Sequence, residues 1–372
     1  MNAEFVLNPY VVGDPVSNKL FVSRPDIIRQ LQELWLTPGH QPQSVLLYGH
    51  RRTGKTSILL NAAQSLGSQV KVAYVNLLQL GNIRQGVGEV LMAISDEISE
   101  AVNIPPPPDE DLLNLPYRTF ERYLKQVEAS LSETSLIIAL DEFEKIEKLI
   151  NADKIDRDFI GFLHGMVQIS SKIAFVFAGL HTLEEMTEDY FNPFFVSIIP
   201  IRVSFLSLSA TRQVLANPSG DFPLAYQSEA LDRIYELTGG QPYLTQLVGF
   251  LLVRLYNDRV FEMGCPRALI FTVEDVETVI NDSELFTRGL YYFTGVWSQA
   301  TQGSPGQHEI LRALANHPEG INLDRLSEAT EMDEMISLQE ALKNLERHDV
   351  VKEIDGCYCI AVELFRRWVL KL

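Results

Sequence analysis

Short apolar runs recur along the first 205 residues with helical patterns between them. Ser44 to Tyr48, Val70 to Val75, Leu136 to Leu140, Ile173 to Phe177 and Ile198 to Val203 are each rich in β-branched or aromatic residues. Unbroken apolar runs of this length predict strands buried on both faces of a parallel sheet. Their alternation with helices predicts a wound α/β core. Pro200 inside the fifth run lacks an N–H for a ladder, which suits a strand at the sheet's edge. Pro105 to Pro108 cannot be helical and predict a stiff spacer between two helices.

After Val203 the periodicity turns helical. Ser209 is a candidate cap for a helix through Leu215, and Ser228 for one through Leu237 that Gly239-Gly240 ends. Pro242 suits the first turn of a helix over Tyr243 to Tyr256; Thr272 precedes Glu274, Asp275 and Glu277, acids that favour a helix N-terminus, and a further helix follows to about Trp297. The turn-rich stretch Gln302 to Gln307 predicts a linker. Beyond it come helical patterns at Glu309 to Ala315, Leu323 to Ala329 and Asp333 to Arg347. Val350 to Ile354 and Tyr358 to Val362 follow, with Asp355-Gly356 between them as a hairpin turn. Three helices and a hairpin form the pattern of a winged helix. The expected domains are residues 1–208, a P-loop core with an N-terminal extension; 209–300, a helical lid; and 306–372, a winged helix.

Two motifs carry chemistry. Gly49-His50-Arg51-Arg52-Thr53-Gly54-Lys55-Thr56 matches the phosphate-binding loop pattern in full, directly after a predicted strand and before the helical pattern of Ser57 to Leu66. Such a loop turns backbone N–H groups toward a phosphate chain at a helix N-terminus. Lys55 would reach the β- and γ-phosphates, and Thr56 would offer its hydroxyl to magnesium. Downstream, Leu136 to Leu140 ends in Asp141-Glu142, at the C-terminal end of a strand where open α/β sheets bind ligands. Asp141 would hold magnesium through water, and Glu142 would orient or deprotonate the attacking water.

These motifs resemble the P-loop ATPases with an additional strand and a catalytic glutamate. Within them, the chain is similar to the signal-transduction ATPases with numerous domains (STAND) and the related prokaryotic AAA-like ATPases. Phe21-Val22-Ser23-Arg24 resembles the family's apolar-apolar-Gly-Arg-Glu element, with Ser23 for the glycine and Pro25 for the glutamate. The resemblance implies that Arg24 approaches the nucleotide. Arg51-Arg52 resembles the paired arginines of the AAA-like branch, and with Thr53 and Ser57 these residues join the implied nucleotide contacts. Thr238-Gly239-Gly240-Gln241-Pro242-Tyr243 resembles the Gly-x-Pro element that packs beside base and sugar, assigning Gln241 and Pro242 to the nucleotide.

The same resemblance implies a five-stranded parallel sheet of order 5-1-4-3-2. It also implies a γ-phosphate sensor just past the fourth strand, at His181 or Thr182, for which helix capping is the alternative role. Arg202 is a candidate for a neighbouring subunit's nucleotide or for a structural ion pair. ATP or ADP with Mg2+ is the implied cofactor set, and no guanine-reading Asn-Lys-x-Asp pattern occurs.

Charge and composition narrow the partners. The chain has 31 Lys and Arg against 49 Asp and Glu, a net charge of −18. An anionic surface repels phosphate backbones. From Pro305 to Leu372 there are eight basic and thirteen acidic residues. The candidate recognition helix, Asp333 to His348, sets Asp333, Glu334, Glu340 and Glu346 against Lys343 and Arg347. Duplex DNA is therefore not an expected partner; the resemblance implies a homo-oligomer, with an effector protein as the other expected partner.

Three cysteines, Cys265, Cys357 and Cys359, fit neither a disulfide framework nor a four-ligand zinc site. Cys357 and Cys359 share a hairpin face as small apolar residues. The chain opens Met1-Asn2-Ala3-Glu4-Phe5, with no cationic and apolar leader, and its best apolar helix is interrupted at Arg254. A cytoplasmic protein without a membrane span is expected. The leading expectation is an ATP-binding, slowly hydrolysing switch. A DNA-associated AAA-like ATPase and a non-hydrolysing nucleotide-dependent scaffold are the alternatives.

Overall fold

A computed structural model describes residues 5–16, 21, 24–81, 84, 86–180, 197–300, 305–330 and 335–372. The chain divides into two compact units, one of Ser23–Gly49 and Gly54–Val203, the other of Met1–Val22, His50–Thr53 and Ser204–Leu372. By packing, residues 5–16 group with the C-terminal unit, where the sequence reading attaches them to the P-loop core.

The first unit is built on a five-stranded parallel sheet. Its strands are β1 (Val45–Tyr48), β2 (Val70–Asn76), β3 (Ser135–Asp141), β4 (Ile173–Gly179) and β5 (Ile199–Arg202), in the spatial order β2-β3-β4-β1-β5. The fourth strand lies between the two that carry the motifs, so the expected order holds. All seven residues of β4 and six of seven in β3 are buried, which is why these runs read as unbroken apolar segments. Strand β5 pairs only with β1, so Pro200 removes no ladder bond from the sheet interior. Asn103, at φ +60°, ends the helix Val87–Val102, and the four prolines then run to the helix Asp109–Asn114 as the expected spacer.

In the second unit, the N-terminal segment lies on the helix Pro242–Asn257. Asn257 exchanges hydrogen bonds with the backbone of Val6, and Gln246 accepts from the N–H of Val11. Tyr10 is buried, donates to the carbonyl of Leu215 and packs where Gly249 has no Cβ. The helices Leu208–Ala216, Ser228–Thr238, Val273–Asn281, Ser283–Arg288 and Leu290–Gln299 share this core with Pro242–Asn257.

Three expectations are corrected here. Ser207, not Ser209, caps the helix Leu208–Ala216 by accepting from the N–H of Ala210 at 3.2 Å. Gln227 occupies the N-cap before Ser228, and no side chain caps that end. The segment is not wholly helical, because β6 (Ala225–Tyr226) and β7 (Ile270–Phe271) pair in parallel.

The C-terminal residues of this unit form the helices Gln307–Ala315, Leu323–Thr330 and Met335–Arg347, then an antiparallel hairpin of β9 (Val351–Ile354) and β10 (Cys357–Ile360). A short strand β8 (Ile321–Asn322) pairs with β10, and a last helix, Glu363–Val369, follows; neither is foreshadowed by the pattern. Phe365 and Trp368 of that helix stack on Phe293. Cys359 is buried and Cys357 partly so, in keeping with a shared apolar face. Among the described residues, no helix is long and apolar enough to cross a membrane.

Candidate nucleotide-binding site

Strand β1 runs directly into Gly49, and only glycine fits there. A Cβ at Gly49 would lie 2.2 Å from the carbonyl oxygen of Val203. At the other end of the loop, Gly54 takes φ +96° and hands the chain to the helix Lys55–Leu66, whose first turn has no side-chain cap. A helix N-terminus at the end of such a loop turns its first N–H groups toward an anion. Lys55 is buried in the first helical position and its Nζ donates to the Gly49 carbonyl at 2.8 Å. Within the second unit, Thr53 Oγ1 donates to the His50 carbonyl at 2.9 Å.

Thr56 and Asp141 meet although they are 85 residues apart. Thr56 Oγ1 donates to Asp141 Oδ2 at 2.7 Å. Asp141, the last residue of β3, is buried, and its Oδ1 accepts the backbone N–H of Glu142 at 3.0 Å. The sequence reading overlooks Tyr74 on β2, whose hydroxyl donates to the same Asp141 Oδ2 at 2.9 Å.

Glu142 sits at φ +58°, a left-handed conformation that costs a non-glycine residue roughly 1 kcal/mol. Burial, then the neighbouring carboxylates of Glu144 and Asp141, raise its carboxyl above the ordinary range, and Lys55 opposes the shift. Glu144 is the second residue overlooked. It is buried and turns Oε2 to the place where a Cβ of Gly179, at the end of β4, would lie 2.8 Å away. That oxygen has no hydrogen-bond partner among the described residues.

The remaining candidates are distributed as follows. Ser57 is buried and its carbonyl accepts from Asn61 at 2.6 Å. Arg24 is buried, pairs with Asp26 at 3.2 Å, and supplies the carbonyl that starts the helix Pro25–Leu36. Arg51 and Arg52 are exposed. Within the second unit, the fully buried Gln241 holds the Arg52 carbonyl through Nε2 at 3.1 Å. Its Oε1 caps the helix Pro242–Asn257 by accepting from Leu244. The Arg52 guanidinium lies over the Tyr243 ring at 4.4 Å. Arg202 is exposed on the edge strand. His181 and Thr182, the two sensor candidates, lie outside the described residues.

The donor set suits magnesium. Thr56 Oγ1 and Asp141 Oδ2 are hard oxygens beside the phosphate-binding loop, and Mg2+ takes one or two protein oxygens, completing its shell with phosphates and water.

Residues 20–176 match the family model described as an AAA ATPase domain. No curated protein matches the sequence. Among solved structures, the Walker-type ATPase PABY2304 of Pyrococcus abyssi is similar with a TM-score of 0.68 at 18% identity, over 97% of this chain and 99% of that one. The ORC2 protein of Aeropyrum pernix, in its ADPNP-ADP complexes, has a TM-score of 0.54 at 15% identity, over 93% and 92%. The ORC1 protein of the same organism in complex with DNA follows at 0.47 and 16%, over 95% and 93%. Residues 20–176 thus match an AAA ATPase domain, and the chain shares its fold with the Walker-type ATPase PABY2304.

Proposed function

We propose that this protein is an ATP-binding, slowly hydrolysing molecular switch of the AAA-like and STAND kind, which regulates assembly or partner binding through nucleotide-dependent rearrangement of its domains in the cytoplasm. The observation that carries the reading is the convergence of the two motifs, with Thr56 Oγ1 on Asp141 Oδ2 at 2.7 Å and Glu142 next in sequence. Lys55 exchanges the Gly49 carbonyl for β- and γ-phosphate oxygens, and the N-terminus of the helix Lys55–Leu66 faces the phosphate chain. Thr56, and Asp141 through water, hold the metal; bound Mg2+ supplies neutralisation of charge on the β- and γ-phosphates.

Glu142 orients the attacking water and accepts its proton. Its raised proton affinity in the nucleotide-free chain suits a base that gains and loses a proton near neutrality. Gly49, Thr53, Gly54 and Ser57 shape the loop. Arg24, Arg51 and Arg52 complete the nucleotide contacts, and Gln241 and Pro242 respond to the nucleotide state. The three-part division into P-loop core, helical lid and winged helix, with a homo-oligomer or effector protein as partner, belongs to the same reading.

The test is nucleotide binding by Lys55→Ala. Loss of charge-assisted bonds worth about 1.5–3 kcal/mol lowers ATP affinity by about 10- to 100-fold. Unchanged affinity would refute the assignment of the loop. A second reading, a DNA-associated ATPase, draws on the fold likeness to ORC2 over 93% of the chain. It requires duplex binding that weakens steeply with salt, against eight basic and thirteen acidic residues from Pro305 to Leu372.

A further inference from the structure

The carboxylate of Asp141 is held on three sides, and one holder belongs to neither motif. Oδ1 takes the backbone N–H of Glu142, while Oδ2 takes the hydroxyls of Thr56 at 2.7 Å and Tyr74 at 2.9 Å. Tyr74 comes from β2, the strand paired with β3. The register sets Tyr74 against Ala139 and Asn76 against Asp141. Side chains two residues apart on a strand share a face, so Tyr74 and Asp141 are diagonal cross-strand neighbours within reach of an aromatic side chain.

We infer that Tyr74 is a positioning residue for magnesium: its hydroxyl fixes the plane of the Asp141 carboxylate so that this acid and Thr56 present their oxygens to one cation. The inference rests on the nucleotide-switch reading. Thr56 has a single hydroxyl proton, and donating it to Asp141 leaves its lone pairs for the metal. Tyr74 supplies the second donor that Asp141 needs to stay oriented while Thr56 serves the cation. The part it plays is that of an outer-shell partner, whose loss lowers metal affinity by about 10- to 100-fold. A phenol hydroxyl keeps its proton at neutral pH, so Tyr74 stays a donor there.

The test is titration calorimetry of ADP against the full chain, in EDTA and at a series of Mg2+ concentrations, for wild type, Tyr74→Phe, Asp141→Asn and the double variant. Tyr74→Phe keeps the ring and removes one oxygen; matching thermal unfolding curves establish that it folds. The expected result is an ADP affinity in EDTA within twofold of wild type and a Mg2+ half-saturation raised about tenfold. In the Asp141→Asn background, Tyr74→Phe should change neither.

Equal losses with and without Mg2+ would reduce Tyr74 to a packing role and overturn the inference. So would an unchanged Mg2+ dependence, or a full effect of Tyr74→Phe in the Asp141→Asn background. In each case the wild type still binds ADP and the switch reading stands. Failure of the wild type to bind ADP at all would remove the switch reading and this inference with it.

Discussion

Gly49, Glu142 and Tyr74 carry most of the local physics of the site, and they were unequally visible. Gly49 belongs to a motif, and the structure supplies its reason in the 2.2 Å approach of the Val203 carbonyl. Gly49→Ala should therefore lose stability by about 1–3 kcal/mol, the usual cost of overpacking, measured by urea unfolding. A neutral result would mean that the strand end has room to move. The motif pair was legible because its members are contiguous in sequence. Tyr74 and Glu144 were not, because their contacts depend on the register of β2 on β3 and on the close passage of Gly179. Nothing in Val-Ala-Tyr-Val sets Tyr74 apart from an ordinary strand aromatic until Asp141 is placed beside it.

Elements were recovered where they are long and strongly patterned. All five core strands stand within two residues of their expected limits, since unbroken apolar runs between helices admit few other readings. The errors fall on short elements and caps. A two-residue strand such as β6 or β8 has no period to read, and the choice between Ser207 and Ser209 turns on which hydroxyl meets the open N–H of Ala210.

One helix start was expected from its acidic residues, and the structure adds the cap. Thr272 and Asp275 form a reciprocal capping box, and Asp275 also binds Arg267 and Arg259. Burial alone would raise the Asp275 carboxyl, but the hydrogen bonds from Arg267 and Thr272 together hold it below its ordinary value. A lowered folded pKa adds stability that is present above the unfolded value and lost as pH falls through the folded one. Asp275→Asn should thus cost about 2 kcal/mol at pH 7, with the difference shrinking as the pH is taken below the carboxylate range. Parallel unfolding curves at pH 7 and pH 3 check this. A constant difference would make the contribution of Asp275 independent of its charge.

At the scale of the whole molecule, the second unit has one hydrophobic core that runs from Val6 and Tyr10 through the helix Pro242–Asn257 to Phe365 and Trp368. Sequence pattern could not disclose that the N-terminal residues join it, because a short extended segment has no partner until the helices are assembled. Tyr10→Ala should destabilise the protein by about 3 kcal/mol, through lost burial and the lost bond to the Leu215 carbonyl, as read by urea unfolding. A loss below about 1 kcal/mol would mean that the N-terminal segment is not part of this core. The net charge of −18 acts at this scale too, through solubility and partner choice rather than fold.

The central claim, hydrolysis at Glu142, is tested most directly by the nucleotide that the protein holds. Wild type and Glu142→Gln are incubated with ATP and Mg2+, freed of unbound nucleotide, denatured and chromatographed. Removing a general base slows hydrolysis by about 10²- to 10⁴-fold. The account predicts ADP on the wild type and intact ATP on Glu142→Gln. ADP on both, or intact ATP on both, would contradict it.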